Sequence, residues 1–87
     1  MSQDQHSAGS TVPAHDVEVD ASGLACPLPI LRAKKALAQM QSEQVLKVIT
    51  TDRGAVRDFQ AFCRQTGNAL LAQDESAGVV AHYLKRR

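Results

Sequence analysis

The stretch Gly23-Leu24-Ala25-Cys26-Pro27-Leu28-Pro29 constrains this chain more than any other. A residue before proline is driven out of helical geometry. Proline itself suits the first helical turn, where its missing N–H costs nothing. The pair Cys26-Pro27 therefore marks the start of a helix, with Cys26 expected at the N-cap, Pro27 at the first helical position and Pro29 at the third. Ala, Leu, Lys and Gln dominate the residues that follow, and the spacing predicts a helix over 27–41. Ile30, Ala33, Leu37 and Met40 form its inward stripe, widened by Leu31 and Ala38, and Arg32, Lys34 and Lys35 form a basic flank.

A thiol at a helix start meets the positive end of the helix dipole, and a nearby positive field favours thiolate, the nucleophilic form. The sequence thus predicts a modestly lowered pKa for Cys26. The effect is modest because Pro27 and Pro29 supply no N–H and leave mainly those of Leu28 and Ile30. Two readings of Cys26 stay open at this level. It is a reactive thiol held in place by flanking prolines, or a small apolar side chain buried at a helix start, as free cysteines often are. Cysteine is a poor cap compared with Ser, Thr, Asp or Asn, which favours the first reading.

Around this stretch the chain reads as β-α-β-α-β-β. Val17 and Val19 alternate with Asp16, Glu18 and Asp20, a half-buried strand over 15–20 that Gly23 ends. Val45-Leu46-Lys47-Val48-Ile49-Thr50 is a central strand. A strand, a helix and a second strand within this length imply a right-handed parallel crossover. Thr51-Asp52 is a capping signal for a second helix over 53–66, with Val56, Phe59, Phe62, Cys63 and Thr66 on its apolar face and Gly67 as a left-handed cap. Two strands over 69–74 and 78–85, joined at Glu75-Ser76-Ala77, complete an α/β two-layer sandwich. Its expected form is a four-stranded mixed sheet with both helices on one face. Residues 1–14, polar and without apolar periodicity, are expected to be a disordered tail, with His6 simply solvated; residues 15–87 form the single domain.

Ten basic against nine acidic residues give a net charge of +1, too balanced to indicate a nucleic-acid partner. No apolar run reaches membrane-spanning length, and the first residues lack the apolar core of a secretory signal. The expected compartment is the cytoplasm, where two cysteines stay reduced.

The pattern Asp20-x-x-Gly23-x-x-Cys26-Pro27-Leu28-Pro29, followed by a basic helix, resembles the TusA (SirA-like) family of sulfur carriers, whose signature is a Cys-Pro-x-Pro motif opening the first helix. The likeness runs over about residues 17–87 and includes the Phe62-Cys63 pair. Arg53 stands where many members have proline, and the long polar N-terminal tail is a second departure. The resemblance implies the same sandwich, with Cys26 bearing a persulfide, Gly23, Pro27 and Pro29 shaping its loop, and no metal or organic cofactor. It implies a sulfur donor protein (a cysteine desulfurase or a rhodanese-like enzyme) and an acceptor in tRNA thiolation, molybdenum-cofactor sulfuration or sulfur oxidation. Arg32, Lys34 and Lys35 read first as a solvated face, and alternatively as a docking surface for an acidic partner.

Other chemistries are less well supported by the residues. A Cys-Pro pair is also a weak haem-thiolate signal for a non-enzymatic binding module. A zinc site from Cys26, Cys63, His15 and His82 matches no Cys-x-x-Cys knuckle. The lack of Cys-x-x-Cys also disfavours a thioredoxin-like oxidoreductase, and no motif supports a Ser/His/Asp hydrolase. Cys63 is expected in the core, with a resolving-thiol role as the alternative. His82 is expected to be a sheet residue rather than a base.

Overall fold

The computed structural model describes residues 12–87, so the expected tail and His6 lie largely outside the described residues. The elements are β1 (Val17–Ala21), α1 (Leu28–Ala38), β2 (Val45–Thr50), α2 (Ala55–Thr66), β3 (Ala69–Ser76) and β4 (Val79–Lys85). They form one four-stranded sheet in the order β1-β2-β4-β3. β1 runs parallel to β2, with Val19 opposite Val48, while β4 is antiparallel to both β2 and β3. The helix α1 packs on β1 and β2, α2 packs on β3 and β4, and the two helices touch. The sandwich expected from the alternating patterns is the one observed.

Strand alternation decides what lies under the helices. Leu46, Val48 and Thr50 of β2 pair with Leu84, His82 and Val80 of β4, and all six are buried. Leu37, Met40, Phe59, Phe62 and Cys63 close over them. Burying a side chain of this size is worth about 1.5–3 kcal/mol. His82 and Thr50 are the polar members of this core. Its ring stacks on Phe59 at 4.4 Å between centroids. The Gln73 amide donates to His82 Nδ1 (3.1 Å) and to the Val56 carbonyl (2.9 Å), and Gln60 donates to the Gln73 oxygen (3.0 Å). With Nδ1 accepting, His82 Nε2 carries the hydrogen and donates to Thr50 Oγ1 at 2.8 Å. Burial pushes the imidazole down to about 4, so the ring is neutral at physiological pH. That is the sheet residue expected from the sequence, held by its partners rather than poised as a base.

Several boundaries differ from expectation, each for a local reason. α1 begins at Leu28 with Pro27 as its N-cap, not at Pro27 with Cys26 as the cap. It ends at Ala38 rather than Gln41, where Gln39 and Met40 turn their N–H groups back to Ala36 and Leu37. Leu31 and Ala38 face solvent instead of widening the apolar stripe, and the buried Pro29 takes a place in it. α2 starts at Ala55, two residues late, because Asp52 caps through a turn: its carboxylate accepts the Gly54 N–H and its carbonyl accepts the Ala55 N–H. Gly67 is the left-handed cap expected, at φ 82°, and bonds back to the Cys63 carbonyl. β3 extends to Ser76, since Ala77 and Gly78, at φ 52° and 81°, make the two-residue primed turn that suits strand twist.

Candidate functional site

Because β1 and β2 are parallel, the loops that leave them emerge at the same edge of the sheet. Each loop leads into a helix, so both helix N-termini meet at that edge. The first loop carries Cys26 and the second carries Asp52; this shared edge is where chemistry collects in parallel α/β sheets.

The Cys26 loop is braced at several points. Ser22 N–H bonds to the Asp20 carboxylate at 3.0 Å, and the Ser22 hydroxyl and backbone together hold the Asp20 carboxyl below its usual range. Gly23 adopts φ 78°, a left-handed conformation that favours glycine. Its N–H donates to Thr51 Oγ1 at 2.8 Å, which ties the first loop to the end of β2. Leu28 N–H donates to the Ala25 carbonyl at 2.9 Å, closing a turn around Cys26 and Pro27, whose peptide bond is cis. The result is an exposed thiol at the end of the sheet, and the helix that follows it leaves Leu28 and Leu31 exposed.

The electrostatics of this thiol run opposite to the sequence expectation. The Asp58 carboxylate accepts a hydrogen bond from the Cys26 thiol and raises it above its usual range, helped by partial loss of water and by the negative charges of Asp58 and Asp52. Two features of the fold explain the reversal. Cys26 lies one residue ahead of the cap, and the Leu28 N–H expected to face an anion is already given to Ala25. Meanwhile the parallel crossover brings in two carboxylates from 26 and 32 residues downstream. The two carboxylates converge on Gly54, where an added Cβ would sit 3.3 Å from Asp52 Oδ2 and 3.7 Å from Asp58 Oδ2.

The basic flank of α1 does not converge on the thiol. Arg32 and Lys35 border a cavity floored by Val17, Val19 and Met40 at the free edge of β1. Lys34 lies on the other side of α1, over a cleft shared with Phe62, Arg86 and Arg87. The three residues therefore form two separate basic surfaces rather than the single flank expected.

Cys63 is buried on α2 and free. Burial pushes its thiol up to about 11. It lies five residues beyond Asp58, a rise of about 7.5 Å along the helix. This is the core cysteine expected. The four residues weighed as a zinc site are also dispersed. His15 pairs with Glu18 at 3.2 Å and lies beside Tyr83, whereas His82 is sealed in the core. Among the described residues, no three His, Cys, Asp or Glu side chains converge in a metal-ligand group. No helix among them is long and apolar enough to cross a membrane.

Thr51, Asp52 and Asp58 are the site residues that sequence reasoning did not place. The signal was present, however: once β1 and β2 are read as parallel, the loop at 51–54 must lie beside the loop at 22–27.

A small two-layer sandwich presenting one braced, exposed cysteine at the edge where two helices start defines a thiol-bearing carrier domain. Comparison with known proteins makes the class specific: the chain belongs to the TusA family of sulfur carriers. The family model described as sulfurtransferase TusA matches residues 17–86. The chain is 58% identical over 71 residues to the sulfur carrier protein TusA of Allochromatium vinosum, covering 82% of this chain and 93% of that one. It is 38% identical over 73 residues to the TusA of Pseudomonas entomophila, covering 84% and 91%. Among solved structures, the SirA-like protein of Desulfitobacterium hafniense superposes with a TM-score of 0.72 at 27% identity, over 80% of this chain and 96% of that one.

Proposed function

We propose that Cys26 carries sulfur as a persulfide, received from a donor protein and passed to an acceptor protein. The observation that carries this reading is the contrast in access: Cys26 is exposed on a braced loop, and Cys63, the other cysteine, is buried. In loading, the Cys26 sulfur attacks the outer sulfur of a persulfide on the donor. The donor's S–S bond breaks, its inner sulfur leaves with the electron pair and takes up the proton lost by Cys26, and a new S–S bond forms on Cys26. Unloading repeats the exchange, with an acceptor thiolate attacking the outer sulfur. Neither step needs an external oxidant, a metal or an organic cofactor. Nucleophilic attack requires thiolate, so the protonation of Cys26 governs the rate.

The donor in this reading is a cysteine desulfurase or a rhodanese-like protein. The acceptor serves tRNA thiolation, molybdenum-cofactor sulfuration or sulfur oxidation, in the cytoplasm and without direct contact to nucleic acid. Gly23, Pro27 and Pro29 shape the presenting loop. Arg32 and Lys35 on one side of α1, and Lys34 on the other, are docking contacts for acidic partner surfaces.

The test is a relay of labelled sulfur from a desulfurase, through this protein, to an acceptor. Cys26→Ser is expected to abolish relay and Cys63→Ser to preserve it; relay through Cys26→Ser would end the proposal. Arg32→Glu with Lys35→Glu is expected to slow relay while the fold persists.

A further inference from the structure

The carrier reading leaves the acidic surroundings of the thiol without a role. Asp52 and Asp58 come from the β2–α2 loop and the first turn of α2, and both reach the space beside Gly54. The Gly23 N–H bond to Thr51 Oγ1 at 2.8 Å holds the Cys26 loop against the loop that carries Asp52, and Asp58 raises the Cys26 thiol above its usual range. Among the described residues, the salt bridges are His15 with Glu18 and Lys85 with Glu43, so neither aspartate is held in one, although Arg53 lines the same cavity as Asp52 and Arg57 precedes Asp58 on α2. On the α1 side, Arg32 and Lys35 sit over the β1 edge and Lys34 over the interhelical cleft, while Asp58 and Asp52 raise the Cys26 thiol.

Such an arrangement works against simple capture of sulfur. The common free sources of transferable sulfur, thiosulfate and polysulfide, are anions. They must approach a thiol beside two carboxylates that no salt bridge holds. A protein donor delivers the same sulfur atom on a side chain and can bring its own cationic surroundings.

We infer that Asp58, assisted by Asp52, is a specificity-determining residue of the Cys26 site: the two carboxylates turn away small anionic sulfur compounds, so that Cys26 takes sulfur from docked proteins. This inference rests on the carrier reading above. The reaction it suppresses is balanced: Cys26 thiolate attacks the outer sulfur of thiosulfate, the S–S bond breaks, sulfite leaves with the electron pair, and the persulfide remains on Cys26.

The experiment compares alkylation of Cys26 by neutral iodoacetamide and anionic iodoacetate in wild type, Asp58→Asn, Asp52→Asn and the double variant, all at low salt. Asp74→Asn on β3 serves as the net-charge control. Taking the ratio of the two rates cancels the thiolate fraction and leaves the local field. Removing either carboxylate is expected to raise the iodoacetate to iodoacetamide ratio, Asp58→Asn more than Asp52→Asn, up to about fivefold, the effect of a unit charge ~4 Å from a unit anion in water. Asp74→Asn is expected to leave the ratio unchanged, and the midpoint of the alkylation pH profile is expected to fall in Asp58→Asn. In parallel, mass spectrometry follows loading from thiosulfate and from a persulfidated rhodanese; the double variant is expected to load from thiosulfate faster than wild type. Unchanged ratios in both single variants, or wild type loading from thiosulfate as fast as the double variant, overturn the inference. Shifted ratios with no loading from any donor would instead overturn the carrier reading.

Discussion

The two cysteines of this chain are both held as neutral thiols, for opposite reasons. Cys63 is raised to about 11 by burial under α2. Cys26 is raised chiefly by its hydrogen bond to Asp58, while exposed at the sheet edge. The difference lies in what can reverse each state. Cys63 borders a cleft with Gln60, Arg64 and Leu70 but is itself almost covered, so it reacts only when that cover opens. A hydrogen bond and two carboxylates at the surface can be displaced by a docking partner or removed by one substitution. Exposure, not intrinsic acidity, distinguishes the usable thiol.

The largest effect expected of this contrast is in alkylation of the native protein. Iodoacetamide should add first at Cys26, with Cys63 much slower, because its reaction waits on a local opening of its cover. Two rapid adducts in native buffer would break the comparison. Phe59→Ala sharpens it from the core side. Phe59 is fully buried, stacks on His82 and meets Phe62 edge-on at 6.3 Å. Its loss should cost about 3–5 kcal/mol by urea unfolding. Cys63 labelling should accelerate accordingly, and the Cys26 rate should hardly change.

His82 provides the same lever through pH. Its pKa is about 4 in the fold against 6.5 when unfolded. Between these values the unfolded chain binds a proton that the native ring refuses, so stability is full above pH ~6.5 and falls as pH drops towards 4. The loss amounts to on the order of 3 kcal/mol. Urea midpoints at pH 7 and pH 4.5 check it, and His82→Gln should flatten the dependence. The smallest effect expected is at the brace: Thr51→Val deprives Gly23 N–H of its partner at a cost of about 1 kcal/mol. Its mark should be a changed Cys26 labelling rate with Cys63 still protected.

Local patterns made the fold legible. The alternation at Val17 and Val19, the apolar β-branched run at 45–50, the stripe at Phe59, Phe62 and Cys63 and the glycine cap at Gly67 each announce an element without help from the rest of the chain. The same locality limited the site. Cys26-Pro27 is visible as a helix start, and dipole reasoning then assigns the thiol an acidic character. The actual field comes from Asp52 and Asp58, distant in sequence and brought beside the thiol by the parallel crossover. Periodicity also cannot tell which flank of a helix meets the sheet when Ile30, Leu31 and Pro29 all compete; Pro29 was buried and Leu31 left in solvent.

The most direct test of the central claim is the intact mass of the protein after incubation with a cysteine desulfurase and cysteine, or with thiosulfate and a rhodanese. Wild type, Cys26→Ser and Cys63→Ser are run together. The account predicts one added sulfur, removable by reductant, in wild type and Cys63→Ser and none in Cys26→Ser. Added sulfur that persists in Cys26→Ser, or none in wild type with either donor, would contradict it.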